Sequence, residues 1–114
     1  MHVSVVDNAD ESVVITVRGD LDIDSNTVLT TTLDQVLDRP APMVIVDLSG
    51  VGFCDSTGLS ALVIGHNRAR ADGGWLRLAA PSDFLGRLLD TVGLTPRISV
   101  YPTVADALAD RNPD

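Results

Sequence analysis

Lysine is absent from this sequence. All basic residues are arginine, 8 of them against 16 acidic ones, so 114 residues carry a net charge of −8. That balance argues against a nucleic-acid binder, which needs a basic footprint to displace counterions. It equally disfavours adsorption to an anionic membrane surface, and suits steering toward a basic protein partner. Cysteine occurs once, at Cys54, so no intrachain disulfide can form, in keeping with a reducing compartment. The two histidines, His2 and His66, stand far from it and from each other, without metal-ligand spacing; no metal and no other cofactor is expected. Long apolar runs are also missing. Met43-Val44-Ile45-Val46 is typical of the longest, whereas a bilayer span needs about 20 residues. Met1-His2-Val3-Ser4 lacks the basic and apolar regions of a signal peptide, so a cytoplasmic protein is expected.

What is present is apolar enough to fold. Hydrophobic residues make up 45%, which supports the core of one domain, expected over residues 1–110 with a frayed tail at 111–114. Two β-branched runs, Val3 to Val6 and Ser12 to Arg18, flank a polar turn at Asp7-Asn8-Ala9-Asp10-Glu11 and predict an antiparallel hairpin. Gly19-Asp20-Leu21-Asp22 ends the second strand. Ser25 or Asn26 can cap a helix running to about Asp38, with Leu29, Leu33, Val36 and Leu37 on one face. Arg39-Pro40-Ala41-Pro42 stops it. Met43 to Leu48, apolar almost throughout, predicts a strand covered on both faces.

A second helix is expected from Ser56 to about Ala71, ended by Asp72-Gly73-Gly74, and a strand from Trp75 to Ala79. Pro81-Ser82-Asp83 opens a third helix whose inner face is Phe84, Leu85, Leu88, Leu89 and Val92, with Gly93 as its stop. A strand over Ile98 to Tyr101 and a helix over Thr103 to Ala109 complete the order β-β-α-β-α-β-α-β-α. Such alternation implies an α/β domain with right-handed crossovers and a mixed, mostly parallel sheet of about five strands with about four helices.

The chemistry concentrates where the third strand gives way to the second helix. Asp47 and Leu48 end an apolar strand, two glycines follow at Gly50 and Gly52, and Asp55-Ser56 opens a helix. Loops at the carboxyl ends of parallel strands are where α/β domains place working residues. A hydroxyl in the first helical turn lies at the positive end of the dipole, among backbone N–H groups that favour an anion. A phosphate on Ser56 would therefore be accommodated there, adding about −1.5 to −2 charges beside Asp55. The purely structural alternative is that Asp55 and Ser56 cap the helix while Gly58 permits close packing against the sheet.

The run Asp47-Leu48-Ser49-Gly50-Val51-Gly52-Phe53-Cys54-Asp55-Ser56-Thr57-Gly58-Leu59 resembles the signature of STAS domains, especially the bacterial anti-sigma factor antagonists. Gly19-Asp20-Leu21-Asp22 is similar to the turn that follows the second strand in that family, and the element order and length agree along nearly the whole chain. The resemblance implies a STAS-like single domain and a partner-switching function. In such a switch the unphosphorylated protein binds an anti-sigma factor that is also an ATPase-type serine kinase, which frees a sigma factor. Phosphorylation of the first serine of the D-S-T-G run, here Ser56, ends the binding, and a metal-dependent serine phosphatase restores it. Thr57 is the less favoured acceptor. Asp22, Asp55, Ser56, Thr57 and Gly58 are the expected partner-binding residues, with Asp20 and Asp24 weaker candidates. The resemblance also implies a monomer. A STAS scaffold that binds another regulator or a small ligand without switching is the alternative within the same fold.

Catalysis is not expected. The sequence around Ser56 lacks the glycine two residues earlier that a nucleophile elbow requires, and neither G-x-x-x-x-G-K-S/T nor G-x-G-x-x-G occurs. Cys54 reads as a small core residue, His66 as solvated, and Arg68 and Arg70 as an ordinary exposed face. Trp75 reads as packing, and Asp34 with Asp38 as a solvated acidic face. Basic residues drawn from arginine alone suggest a high-GC bacterial source.

Overall fold

The computed structural model describes residues 1–95 and 97–110. Among them the elements follow the expected order: β1 His2–Asp7, β2 Val13–Leu21, α1 Asn26–Leu37, β3 Met43–Cys54, α2 Ser56–Ala71, β4 Trp75–Ala79, α3 Asp83–Thr91, β5 Val100–Tyr101 and α4 Val104–Ala109. The five strands lie in the sheet order β1-β2-β3-β4-β5; β1 is antiparallel to β2 and the remaining neighbours are parallel. The expected tail at 111–114 lies outside the described residues. No helix among those described is long and apolar enough to cross a membrane.

β3 sits at the centre and is covered on both faces, as its unbroken apolar run predicts. Val44, Val46 and Leu48 join the larger core cluster, together with Leu29, Leu33, Val36 and Leu37 of α1 and Ala61, Leu62 and Ala69 of α2. Ile45 faces the opposite side, where Val14, Ala79 and Ala107 of α4 enclose it. The helical faces read from apolar spacing are thus the buried ones in α1. In α3 only Leu85 and Leu89 are buried; Phe84 and Val92, expected inside, are 56% and 49% exposed. The i, i+4 pair Leu85/Leu89 sets the inner stripe, and a short helix flanking the sheet covers only that narrow stripe.

β2 and β3 run further than expected. Their glycine-containing turns predict earlier ends, yet β2 continues through Gly19 to Leu21 and β3 through Gly50 and Gly52 to Cys54. The pairing persists as Arg18↔Gly50, Gly19↔Val51 and Leu21↔Cys54, with register shifts between Thr16 and Arg18 and between Gly19 and Leu21. A glycine at a bulge and a glycine at a turn look alike in sequence, which is why these strands read short. Gly93 does end α3, in a left-handed conformation at φ 79°.

Two polar groups also differ from expectation. His66 is buried, because Leu62, His66 and Ala69 follow the i, i+4, i+7 stripe of α2 that faces the core. Arg68 is no free surface cation: its guanidinium forks to Asp34 at 2.7 Å and Asp38 at 2.9 Å, pairing the like charges of α1 with α2.

Arg77 supplies an interaction that periodicity cannot show. It is buried in β4, its guanidinium 3.8 Å from the Trp75 ring centroid. It donates to the carbonyls of Ala107 at 2.8 Å and Asp110 at 2.7 Å, at the C-terminal end of α4, where a cation is favoured by the helix dipole. The Tyr101 hydroxyl holds the Asp110 carboxylate beside it. Trp75 thus packs, as expected, and α4 is fastened to the sheet. Arg77→Ala is expected to lower unfolding stability by about 3 kcal/mol, since it opens a void and strands two carbonyls; urea unfolding followed by far-UV circular dichroism measures it.

Candidate functional site

Ser56 is the first residue of α2 and its side chain is exposed, with Thr57 half-buried beside it. Asp55 precedes it as the N-cap, in extended backbone conformation. Its Oδ1 accepts from the amides of Thr57 at 2.9 Å and Gly58 at 3.1 Å. Its Oδ2 accepts from the amide of Ile23 at 3.1 Å, and its own amide donates to the Leu21 carbonyl at 2.9 Å. One carboxylate therefore starts α2 and ties it to the turn that follows β2. Two N–H groups of the first turn, those of Thr57 and Gly58, are already taken by Asp55, so the anion cradle expected from the sequence is in part occupied. A phosphate on Ser56 would stand on the surface, at the positive end of α2 but against the Asp55 carboxylate.

The neighbouring turn is self-satisfied. Asp22 Oδ1 accepts from the amides of Asp24 at 3.1 Å and Ser25 at 3.0 Å and lies 2.8 Å from the Ser25 hydroxyl. The Ser25 hydroxyl and amide hold the Asp22 carboxyl below its ordinary value. Ser25 occupies the N-cap position of α1 without a side-chain cap bond; its hydroxyl turns back to the Asp20 carbonyl at 2.6 Å.

Asp22, Asp55, Ser56 and Thr57 thus lie together at the carboxyl ends of β2 and β3, as the parallel arrangement predicts. Gly58 does not join them at the surface. It is buried, and a Cβ there would stand 2.8 Å from Leu21 Cβ and carbonyl oxygen and 2.9 Å from Cys54 Sγ. Its part is close approach of α2 to β2, the structural alternative named above.

Sequence reasoning passed over the apolar surface around Ser56. Ile23 is 72% exposed in the acidic turn, and Phe53, also exposed, is the penultimate residue of β3, two residues before Asp55. Beside Ser56 a groove of about 420 Å³ opens between α2 and the segment after α3, lined by Leu59, Ser60, Val63, Ile64, Val92 and Leu94. An isoleucine amid aspartates in a turn is the one sequence signal that could have pointed there, since neither helix nor strand period accounts for it.

Cys54 is buried as expected, and burial, followed by the charge of Asp55, pushes its thiol up to about 11. His66 lies ten residues along α2 from Ser56, about 15 Å along the axis, so the two do not form a nucleophile and base pair.

Comparison with known proteins agrees with this architecture. The family model for the Mlab-type STAS domain matches residues 4–99. The chain belongs to the STAS domain family. An anti-sigma factor antagonist from Mycobacterium paratuberculosis is 29% identical, covers 94% of this chain and 90% of its own, and superposes with a TM-score of 0.83. The anti-sigma factor antagonist SpoIIAA in its unphosphorylated form, at 21% identity, covers 94% of this chain and 93% of its own, with a TM-score of 0.78. The phosphorylated form of SpoIIAA, the Bacillus cell fate determinant, is also 21% identical, covers 94% and 96%, and gives 0.73. The last two are similar in fold.

Two outcomes are expected here. Asp55→Ala should destabilise the fold by about 2 kcal/mol, at the upper end of cap losses because three amides lose their acceptor, whereas Asp55→Asn should lose less; chemical denaturation of both variants checks this. Cys54 should resist a thiol-reactive chromogenic disulfide in the native protein near neutral pH and react fully once denatured.

Proposed function

We propose that this chain is an anti-sigma factor antagonist that acts in the cytoplasm of a bacterium. In its unphosphorylated form it binds an anti-sigma factor that is also an ATPase-type serine kinase, and so frees a sigma factor. The kinase then phosphorylates Ser56, which ends the binding, and a metal-dependent serine phosphatase reverses it. The observation that carries this reading is an exposed serine on the first residue of α2, lining an apolar groove and following Asp55, whose carboxylate holds the amide of exposed Ile23. The likeness to anti-sigma factor antagonists, one of them solved both with and without phosphate, supports it.

The physics of the switch needs no refolding. The apolar side chains offer contact area, while Asp20, Asp22 and Asp24 offer charge to a basic partner. A phosphate in the middle of that surface brings a dianion that the interface must desolvate or repel, close to carboxylates already present. Asp55, with its carboxylate engaged by three amides, positions Ser56; Asp22 shapes the adjoining turn. Thr57, half-buried, is the poorer acceptor.

The test is to incubate the purified protein with ATP and the anti-sigma kinases of its own genome. Phosphate is located by mass spectrometry and binding measured by titration calorimetry. Phosphate on Ser56, absent from Ser56→Ala, with at least about a hundredfold weaker kinase binding (near 3 kcal/mol), is the expected result. Active kinases that neither bind nor modify the chain would overturn the switch and leave a constitutive STAS scaffold.

A further inference from the structure

The end of the sheet opposite Ser56 carries a larger hollow than the groove beside that serine. Met43 opens β3 and Trp75 opens β4, paired side by side. There a cavity of about 1040 Å³ lies between the β1–β2 turn, the loop before β3 and the end of α4. That is a size at which pockets hold an organic molecule rather than a few waters. Its apolar walls include Val13, Val36, Met43, Trp75 and Leu108. The two loops beside it hold Glu11 at φ 72° and Ala41 at φ 47°, two of the three non-glycine residues in the left-handed region among those described. Such conformations cost energy in a residue with a Cβ, and they gather where a fold keeps a shape for use.

Charge favours a cation as the occupant. Both arginines of the wall are committed. Arg39 is paired with Asp7, and Arg77 lies over Trp75 and donates to the carbonyls of Ala107 and Asp110. Two carboxylates are not so engaged. Asp10 accepts from the Ser12 hydroxyl at 2.6 Å and amide at 3.0 Å, both through Oδ1, which leaves Oδ2 open. Those bonds, the hydroxyl's first, hold its carboxyl below the ordinary value, so it stays charged at neutral pH. The Glu11 carboxylate has no partner among the described residues. Among the same residues no three of His, Cys, Asp or Glu converge as a bare metal ion would need, and the apolar walls suit a carbon body.

We propose that this cavity binds a small organic cation: an ammonium or guanidinium group met by Asp10 and Glu11, on an aliphatic or aromatic body received against Trp75, Met43 and Leu108. The walls gain by burying carbon surface, while the carboxylates select the sign of the charge. Because those carboxylates are exposed, the selection weakens as salt is added. The cavity and Ser56 lie at opposite ends of β3, so binding here does not depend on the switch proposed for that serine.

Trp75 is the sole tryptophan and stands in the wall, so its emission reports occupancy. Phenethylamine, phenethyl alcohol and phenylacetate share one body and differ in charge, and ethylamine carries the charge without the body. Each is titrated into the full chain at low salt, with calorimetry as a second readout. The expected result is a dissociation constant of about 1 mM for phenethylamine, at least about fivefold tighter than the alcohol or ethylamine and about tenfold tighter than phenylacetate. Asp10→Asn combined with Glu11→Gln, with an unchanged circular dichroism spectrum, should bind phenethylamine at least about fivefold more weakly. Asp90→Asn, on α3 and outside the cavity, should bind it as the wild type does. No change in emission and no heat up to about 20 mM phenethylamine overturns the proposal. So does equal binding of the three phenyl probes, which marks a hollow without charge preference, or equal binding of ethylamine, which marks charge alone.

Discussion

The Asp55 carboxylate is the interaction on which the working end of this domain depends. Three backbone amides converge on it, two from the first turn of α2 and one from the turn after β2. Without that acceptor the N-terminus of α2 would present unsatisfied donors, and the segments on either side of Ser56 would have no shared anchor. Gly58 complements it: the carboxylate fixes where α2 begins, and the missing side chain lets that turn rest on Leu21 and Cys54. Between these two anchors Ser56 remains exposed.

The two faces of the sheet are held by different means. On the α1–α2 side the core is a continuous apolar layer, and burial of aliphatic side chains accounts for it. On the α4 side the apolar cluster is small, and a buried arginine stacked on Trp75 and bonded to the end of α4 completes it. A cation survives there because an aromatic face and two carbonyls replace its hydration. That fastening lies on β4 and α4, so the stability of the second face and the surface around Ser56 draw on separate contacts.

Much of the architecture was legible because it follows from local rules. Val3 to Val6 and Ser12 to Arg18 read as a hairpin from β-branching, and α1 from Leu29, Leu33, Val36 and Leu37. Met43 to Leu48 read as a strand covered on both faces because it is apolar almost throughout. The long motif placed Ser56 at a helix start and, through its resemblance to STAS domains, pointed to the family. The ends of β2 and β3 were misread at Gly19 and Gly50, where bulges keep the pairing alive. The burial of His66 was legible too, since Leu62 and Ala69 lie on the same helical stripe. Arg68 and Arg77 were not legible at all.

The sequence by itself determined the order of strands and helices, the apolar faces of α1 and β3, and the position of an unusual serine in the chain, because periodicity and capping act over a few residues. Only the tertiary structure decided what Asp55, Gly58, Arg68 and Arg77 do. Their partners lie on other elements: Ile23 at 32 residues from Asp55, Asp34 at 34 from Arg68, and Ala107 at 30 from Arg77. A carboxylate or guanidinium takes its role from the groups brought within hydrogen-bond reach, and that proximity comes into being only when the sheet assembles.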